Sequence, residues 1–392
     1  MSGVYDALIA GAGPAGSAAA VVLGRAGYRV LLLDRSAFPR DKPCGDLIGA
    51  RAMAAAYRLG MCQADVADYP PLAGATIVWS GGELNLAARS VLGRRLLAKT
   101  DARVIPRRVF DHLLVRRAES AEAELRQGTV RDAGDWDGGV RLVGVETSAG
   151  AETIAARAVI VAGGYGCQVA AGAAPRSRED GPARGIAMRG YFHHVNCPPD
   201  RIVFSLDRWL LPGYGWVFPL AEGGANVGVG TLVSDGGEER EHLHDLWRRF
   251  TEDATSPAAV WLAGAKMNGR PRTWALDLGP RRRRLVGDGL AIVGEAAGLV
   301  GPLTGAGIAF ALESGELAGT VIAAALAAGD ASRGRLRPYS TAIRRRIAPW
   351  LRAELLAQRY LSDPERVDRF FAAIRPLPPT GALGARLLLH LG

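Results

Sequence analysis

Tyr5-Asp-Ala-Leu-Ile-Ala-Gly11-Ala-Gly13-Pro-Ala-Gly16, running on through an alanine-rich segment to Val30-Leu-Leu-Leu-Asp34, is the stretch on which the reading of the fold turns. Its order is that of a buried strand, a glycine turn, a helix, a second strand and an acid at that strand's end. Gly11 permits a tight turn, Gly13 lets backbone approach a pyrophosphate, and Gly16 lets the helix pack closely on the strand. The helix opening at Pro14 and Ala15 presents free N–H groups and the positive end of a dipole to phosphates. Asp34, with Arg35 beside it, stands where a carboxylate accepts hydrogen bonds from an adenosine ribose. A bare GxGxxG is weak evidence. In this context of strand, helix and distant acid it points to a dinucleotide site.

Working outward, 392 residues suffice for two domains. The net charge of +9 is carried mainly by arginine, since lysine occurs only at Lys42, Lys99 and Lys266. That balance suits an anionic cofactor, an acidic partner or a membrane surface. No basic cluster is interleaved with aromatics, which argues against nucleic acid. Cys44, Cys62, Cys167 and Cys197 are too widely spaced for a CxxC pair or a disulfide framework, so a reducing cytoplasm is the expected home. His193 and His194 are adjacent on a strand and point to opposite faces, so no metal site is expected. Ala7 to Gly24 is uncharged, but its four glycines and one proline serve a strand, a turn and a helix better than a membrane span. No other stretch reads as long and apolar enough to cross a bilayer, leaving a cytoplasmic protein that is at most peripheral to a membrane.

Along the chain, the loop Phe38 to Asp46 is broken by two prolines and a glycine. Ala50 to Gly60 predicts a short helix, Ala75 to Leu86 a hairpin around Ser80-Gly81-Gly82, and Val109 to Leu125 an amphipathic helix. Gly139 to Glu146 and Ala156 to Val161 predict strands. From Arg184 the pattern turns antiparallel, with strands at 186–192, 201–205, 214–220 and 225–232, then a helix over 238–250. A buried strand returns at Leu290, a long small-residue helix spans about 305–328, and a helical tail is interrupted at Pro376-Leu-Pro-Pro379. The run Arg281 to Arg284 reads as a solvated face. The chain thus leaves the nucleotide layer, builds a β-rich layer and returns. A discontinuous cofactor domain (1–70, 100–180 and 280–330) would carry an inserted substrate domain (71–99 and 181–279), followed by a helical region over 331–392.

A second cofactor signal is Gly294-Glu295-Ala-Ala-Gly298, followed by Pro302-Leu-Thr-Gly305-Ala306-Gly307-Ile308. An acid ending a strand can hold a ribitol or ribose hydroxyl. The next helix start can place N–H groups beside the edge of a flavin ring where negative charge collects on reduction. Together with Arg107-Arg-Val-Phe-Asp111 and Ala162-Gly-Gly164, these motifs resemble FAD-dependent oxidoreductases of the hydroxylase type. Pro39-Arg-Asp-Lys-Pro-Cys44-Gly45 and Tyr214-Gly-Trp216-Val-Phe218-Pro219, continued at Gly228-Val-Gly230, resemble the geranylgeranyl reductase branch, and are similar to actinobacterial menaquinone reductases. The resemblance spans roughly residues 4 to 320.

That resemblance implies an α/β fold with a Rossmann-like FAD-binding domain, an antiparallel β-rich substrate domain and a helical C-terminal tail. It implies FAD contacts from the opening motif, Cys44, Gly45, Arg107, Val130, Gly164, Glu295, Gly298 and the segment 302–308, with Arg107 near the phosphates. It also places Cys44 in the loop bordering the active site. The family's Asp-Gly pair reads Gly163-Gly164, Glu295 replaces an aspartate, and Ala306 stands where an acid is common.

Tyr214, Trp216 and Phe218 share one face of a strand and would form a wall for a long apolar substrate; the same pattern also suits an ordinary core face. Cys44, between proline and glycine and near Lys42 and Asp46, is the candidate catalytic residue, although a lone cysteine is also a common inert hydrophobe. The expected reaction is reduction of a carbon–carbon double bond in a prenyl-type or polyene substrate by hydride from reduced flavin. The electron donor would be NADPH, NADH or a ferredoxin. An oxygen-using tailoring enzyme and a flavoprotein passing electrons to a membrane quinone are the alternatives. The expected partner is an apolar small molecule or lipid, with peripheral membrane contact compatible, and no feature specifies an oligomeric state.

Overall fold

The computed structural model describes residues 3–87, 100–173, 184–233, 239–279 and 284–374. The Arg281–Arg283 part of the arginine run and the Pro376–Pro379 interruption lie outside the described residues. Tyr5–Ala10 and Val30–Asp34 are almost wholly buried and pair in parallel, Ala7 opposite Val30 and Ala10 opposite Leu33. Near-continuous apolar strands are what a parallel sheet covered on both faces requires. The sheet continues in the order Val286–Gly287, Leu290–Ile292, Gly150–Val161, Tyr5–Ala10, Val30–Asp34, Glu124–Gln127. The Pro14–Arg25 helix covers it and is itself covered by the Ile308–Ala327 helix. The two helix backbones meet closely: a Cβ on Gly315 would lie 2.1 Å from the Ala15 carbonyl oxygen.

A seven-stranded sheet forms the second layer, in the order Lys266–Asp277, Arg184–His193, Ala225–Leu232, Tyr214–Pro219, Arg201–Ser205, Gly74–Trp79, Gly82–Ala87. Its pairings are antiparallel except for Arg201–Ser205 against Gly74–Trp79. The hairpin at 74–87 therefore joins strands more than a hundred residues further along the chain. Arg333–Arg346, Ala348–Leu361 and Pro364–Ile374 are the C-terminal helices. Phe371 from the last of them stacks on Trp79, ring centroids 5.1 Å apart.

Four expectations are corrected. The helix expected over 109–125 is Arg107–Ser120, after which Glu122 turns left-handed (φ 64°) and Glu124–Gln127 becomes a strand beside Val30–Asp34. Parallel pairing overrides the local helical period there. The strand expected at 156–161 begins at Gly150: its outer half pairs antiparallel with Val140–Thr147, and its inner half lies parallel to Tyr5–Ala10. Lys266–Asp277 was not foreseen, because it is a polar edge strand containing Gly269 and Pro271, which edges tolerate and central strands do not. Lastly, Ile308–Ala327 is long and apolar enough to cross a membrane, with a mean hydropathy of 1.4, contrary to the expectation of no further such stretch. It packs on the Pro14–Arg25 helix, and its two acids, Glu313 and Glu316, bind Arg51 and Arg58.

Candidate active site

One cavity of about 660 Å³ runs between the two sheets. At one end the turn after Tyr5–Ala10 is set by Gly11, at φ +112°, where a Cβ would lie 2.5 Å from the Ala162 carbonyl oxygen. A Cβ on Gly16 would lie 1.8 Å from the Gly11 carbonyl oxygen, so helix and turn are in direct backbone contact. Gly16 therefore shapes the cavity without lining it, whereas Gly11, Gly13, Pro14 and Ala15 line it. Asp34 accepts N–H bonds from Ala12 (3.0 Å) and Ser36 (2.9 Å), which fixes its carboxylate at the cavity wall beside Arg35. Val130 lies on the same stretch of wall.

Arg107 also borders the cavity, but its guanidinium is held by both oxygens of Asp111, at 2.6 and 2.7 Å. Burial alone would raise the Asp111 pKa; the Arg107 charge and hydrogen bonds hold it below the usual carboxylate range. The cation beside the Gly13 turn is Arg40, with Nη2 3.6 Å from where a Gly13 Cβ would be, 3.7 Å from Asp34 and with Nη1 3.0 Å from Asp111. Sequence reasoning did not single out Arg40, although it lies inside the loop motif.

At the middle, Gly164 is at φ +73°, and a Cβ there would lie 3.6 Å from Glu295 and 3.7 Å from Lys42. Lys42 Nζ is 3.1 Å from Glu295 Oε2, while Glu295 Oε1 is buried without a protein partner among the described residues. Gly298, expected as a cofactor contact, does not line the cavity; at φ +72° it ends the short turn Gly294–Ala297, its N–H bonded to the Glu295 carbonyl. Pro302, Gly305, Ala306, Gly307 and Ile308 do line it, at the start of the Ile308–Ala327 helix.

This loop is held from an unexpected place. Glu354, buried on the Ala348–Leu361 helix, accepts from the Thr304 N–H (3.2 Å) and Thr304 Oγ1 (2.9 Å). A Cβ on Gly301 would fall 2.2 Å from its carboxylate. Burial raises the Glu354 pKa, partly offset by these hydrogen bonds. From the other side Tyr214 donates its hydroxyl to the Thr304 carbonyl at 2.6 Å.

Tyr214, Trp216 and Phe218 all line the cavity, with Phe204 edge-on to Tyr214 (5.7 Å) and to Phe218 (5.2 Å). Register explains the glycines that follow the aromatic motif. Gly230 stands opposite Tyr214 and Gly228 opposite Trp216, and a Cβ on Gly228 would lie 2.1 Å from the indole. The Trp216 indole lies down across the neighbouring strand, over Gly228 and out to 3.8 Å from where a Gly230 Cβ would be, because neither position has a side chain.

Opposite Phe218 is Asn226, fully buried, which links the wall to the Cys44 loop. Trp216 Nε1 can only donate, and it donates to Asn226 Oδ1 (3.0 Å). Asn226 Nδ2 must then face acceptors, and it reaches the Cys44 carbonyl (2.7 Å) and Asp46 Oδ2 (2.8 Å). Asp46, at φ 64°, also accepts from Tyr191 (2.7 Å) and from the Arg107 N–H (3.1 Å) at the start of a helix. Burial pushes its pKa up to about 6. Cys44 and Gly45 border the cavity, with the Cys44 side chain neighbouring the Arg107 guanidinium. A Gly45 Cβ would come within 2.9 Å of Phe218.

FAD fits this cavity. The Gly13 turn, the unbonded first-turn N–H groups of the Pro14–Arg25 helix and Arg40 suit a pyrophosphate. The orphaned Glu295 Oε1 suits a hydroxyl donor, and the Gly305–Ile308 helix start suits an electron-rich ring edge.

The FAD binding domain family matches residues 4–185. Menaquinone reductase of Mycobacterium tuberculosis is 31% identical over 330 residues, covering 81% of this chain and 76% of that protein. Digeranylgeranylglycerophospholipid reductase 1 of Methanopyrus kandleri is 32% identical over 348 residues, covering 86% and 84%. A geranylgeranyl bacteriochlorophyll reductase-like protein from Thermoplasma acidophilum shares the fold, with a TM-score of 0.82 over 97% of this chain and 95% of that one, at 23% identity.

Proposed function

The chain belongs to the geranylgeranyl reductase family of FAD-dependent oxidoreductases, and from that premise we propose that it saturates carbon–carbon double bonds of an apolar prenyl-type or polyene substrate. The observation that carries this reading is the wall of Tyr214, Trp216 and Phe218 in the same cavity as the FAD cradle. FAD, once reduced, supplies hydride. An isolated alkene offers no carbonyl to polarise, so the protein's work is alignment and the exclusion of water. Trp216 and Phe218 line the cavity with ring planes tilted 34° from one another, an apolar wall for a chain to lie against. Thr304, held between Tyr214 and Glu354, fixes the loop that borders this surface. Cys44 is the proposed proton donor to the alkene carbon. The Asn226 bond to its carbonyl holds the Cys44 backbone at the cavity edge. The electron donor is proposed to be a nicotinamide nucleotide or a ferredoxin, and the location cytoplasmic.

The test is anaerobic reduction of the FAD-loaded protein in the presence of a detergent-solubilised prenylated quinone or prenyl lipid, followed by mass analysis. A gain of two hydrogens is expected. A gain of one oxygen under air would make the protein a monooxygenase instead. Reoxidation by the quinone without a change in tail mass would make it an electron carrier.

A further inference from the structure

The Ala348–Leu361 helix has two unlike faces. Its inner face carries Leu351, Glu354 and Gln358, all buried, and Glu354 grips the loop bordering the cavity. Its outer face carries Leu356, 67% exposed, and Tyr360, 46% exposed, one turn apart, with Arg352 and Arg359 exposed beside them. Trp350, at 42%, flanks this face, and Phe370 on the following helix adds a fourth exposed apolar side chain.

The surrounding charge is one-sided. Residues 333–374 contain ten arginines against four carboxylates, six of the chain's nine excess positive charges. All ten arginines are exposed, whereas Glu354 is buried, Asp368 is paired with Arg208, and Glu365 lies 3.8 Å from Arg369. Among the described residues, none of Arg344, Arg345, Arg346, Arg352 or Arg359 has a carboxylate within ion-pair distance.

We propose that this face docks on an anionic lipid surface and that the protein takes its substrate there. The inference rests on the prenyl-lipid reading above. An anionic bilayer surface is the one occupant that answers both features: headgroups neutralise the arginines, and the acyl boundary receives Leu356 and the ring of Tyr360. A second copy of the chain would set arginines against arginines. An acidic protein would answer the charge but gives exposed leucine and aromatic side chains no matching environment. The helix is about 10 Å across, so the bilayer would come within one helix diameter of the Thr304 loop.

The experiment is co-sedimentation of the full FAD-loaded chain with vesicles of equal phosphatidylglycerol and phosphatidylcholine, and with pure phosphatidylcholine vesicles. The wild type is expected to partition at least about tenfold more strongly onto the anionic vesicles, and less so at high salt. L356E/Y360E is expected to lose at least about tenfold of that binding while keeping its flavin spectrum. Equal binding to both lipids, binding to neither, or anionic binding untouched by the double variant would each overturn the proposal. So would an L356E/Y360E defect confined to electron transfer from an acidic ferredoxin. Because vesicle binding needs no turnover, it is read separately from the mass assay on detergent-solubilised substrate. Reduction there without vesicle binding sinks the docking surface alone.

Discussion

Asn226 is the point at which the aromatic wall, the Cys44 loop and the Asp46 cap meet, and Asn226→Asp is the sharpest perturbation of that junction. The two side chains have the same shape, so the change exchanges one donor for an acceptor. Both oxygens of an ionised aspartate only accept, so with one kept by Trp216 Nε1 no rotation restores the lost donor. The new oxygen would face the Cys44 carbonyl across 2.7 Å and Asp46 Oδ2 across 2.8 Å, both acceptors. One neutral hydrogen bond and one charge-assisted bond are lost, and a second carboxylate is buried. The cost at neutral pH should be about 3–5 kcal/mol.

The sign of the pH dependence follows from which state holds more protons. In the wild type, burial lifts Asp46 to about 6, so its ionisation weakens the fold as pH rises from the ordinary aspartate range through that value. In the variant two carboxylates share the site, and one proton between them restores a donor, so the folded state binds that proton more tightly than the unfolded chain does. The penalty should therefore be largest above about pH 7 and shrink as pH falls through 6 towards 4. Urea denaturation of both proteins at about pH 5 and about pH 8 measures it. A variant within about 1 kcal/mol of wild type at the higher pH, or a penalty that grows on acidification, would refute the donor–acceptor chain.

Gly16→Ala forces helix and turn apart by more than 1 Å or so, given ordinary Cβ contacts, and should weaken FAD binding to the apoprotein at least tenfold by fluorescence titration. Gly172→Ala, where a Cβ meets no atom of the described residues within 4 Å, should bind as wild type. Gly228→Ala drives a methyl into the Trp216 indole and should raise KM for the apolar substrate several-fold, with little change in flavin affinity. Glu354→Ala leaves the Thr304 N–H and hydroxyl without their acceptor; it should cost about 2–4 kcal/mol and speed amide hydrogen exchange over 301–307 in the flavin-free protein, with residues 11–16 unchanged.

The cofactor half was legible because its determinants are local. Parallel strands buried on both faces read as apolar runs, and Gly16 serves a contact with the Gly11 carbonyl, within the first sixteen residues. The aromatic wall was half legible: spacing put three rings on one face, but only the register showed why Gly228 and Gly230 accompany them. What escaped were residues defined by distant partners. Asp46 reads as one more polar loop residue until Tyr191 and Asn226, 145 and 180 positions away, are brought to it. Glu354 sits in an arginine-rich tail, where an acid suggests a surface pair rather than a clamp on a cofactor loop.

The departures from the family pattern fit the same logic of local exchange. An acid at position 163 would need the space that the Cys167 thiol fills, since a Gly163 Cβ would lie 2.6 Å from its sulfur. From the end of the neighbouring strand Glu295 brings a carboxylate to within 3.6 Å of where a Gly164 Cβ would be, one oxygen bound to Lys42 and the other without a protein donor among the described residues. The side chain one methylene longer than the family's aspartate thus offers its acceptor beside the very glycine pair that lacks its acid. Both positions follow paired neighbours in one sheet, Gly150–Val161 and Leu290–Ile292, so the exchange is between adjacent strand ends on the same wall of the cleft.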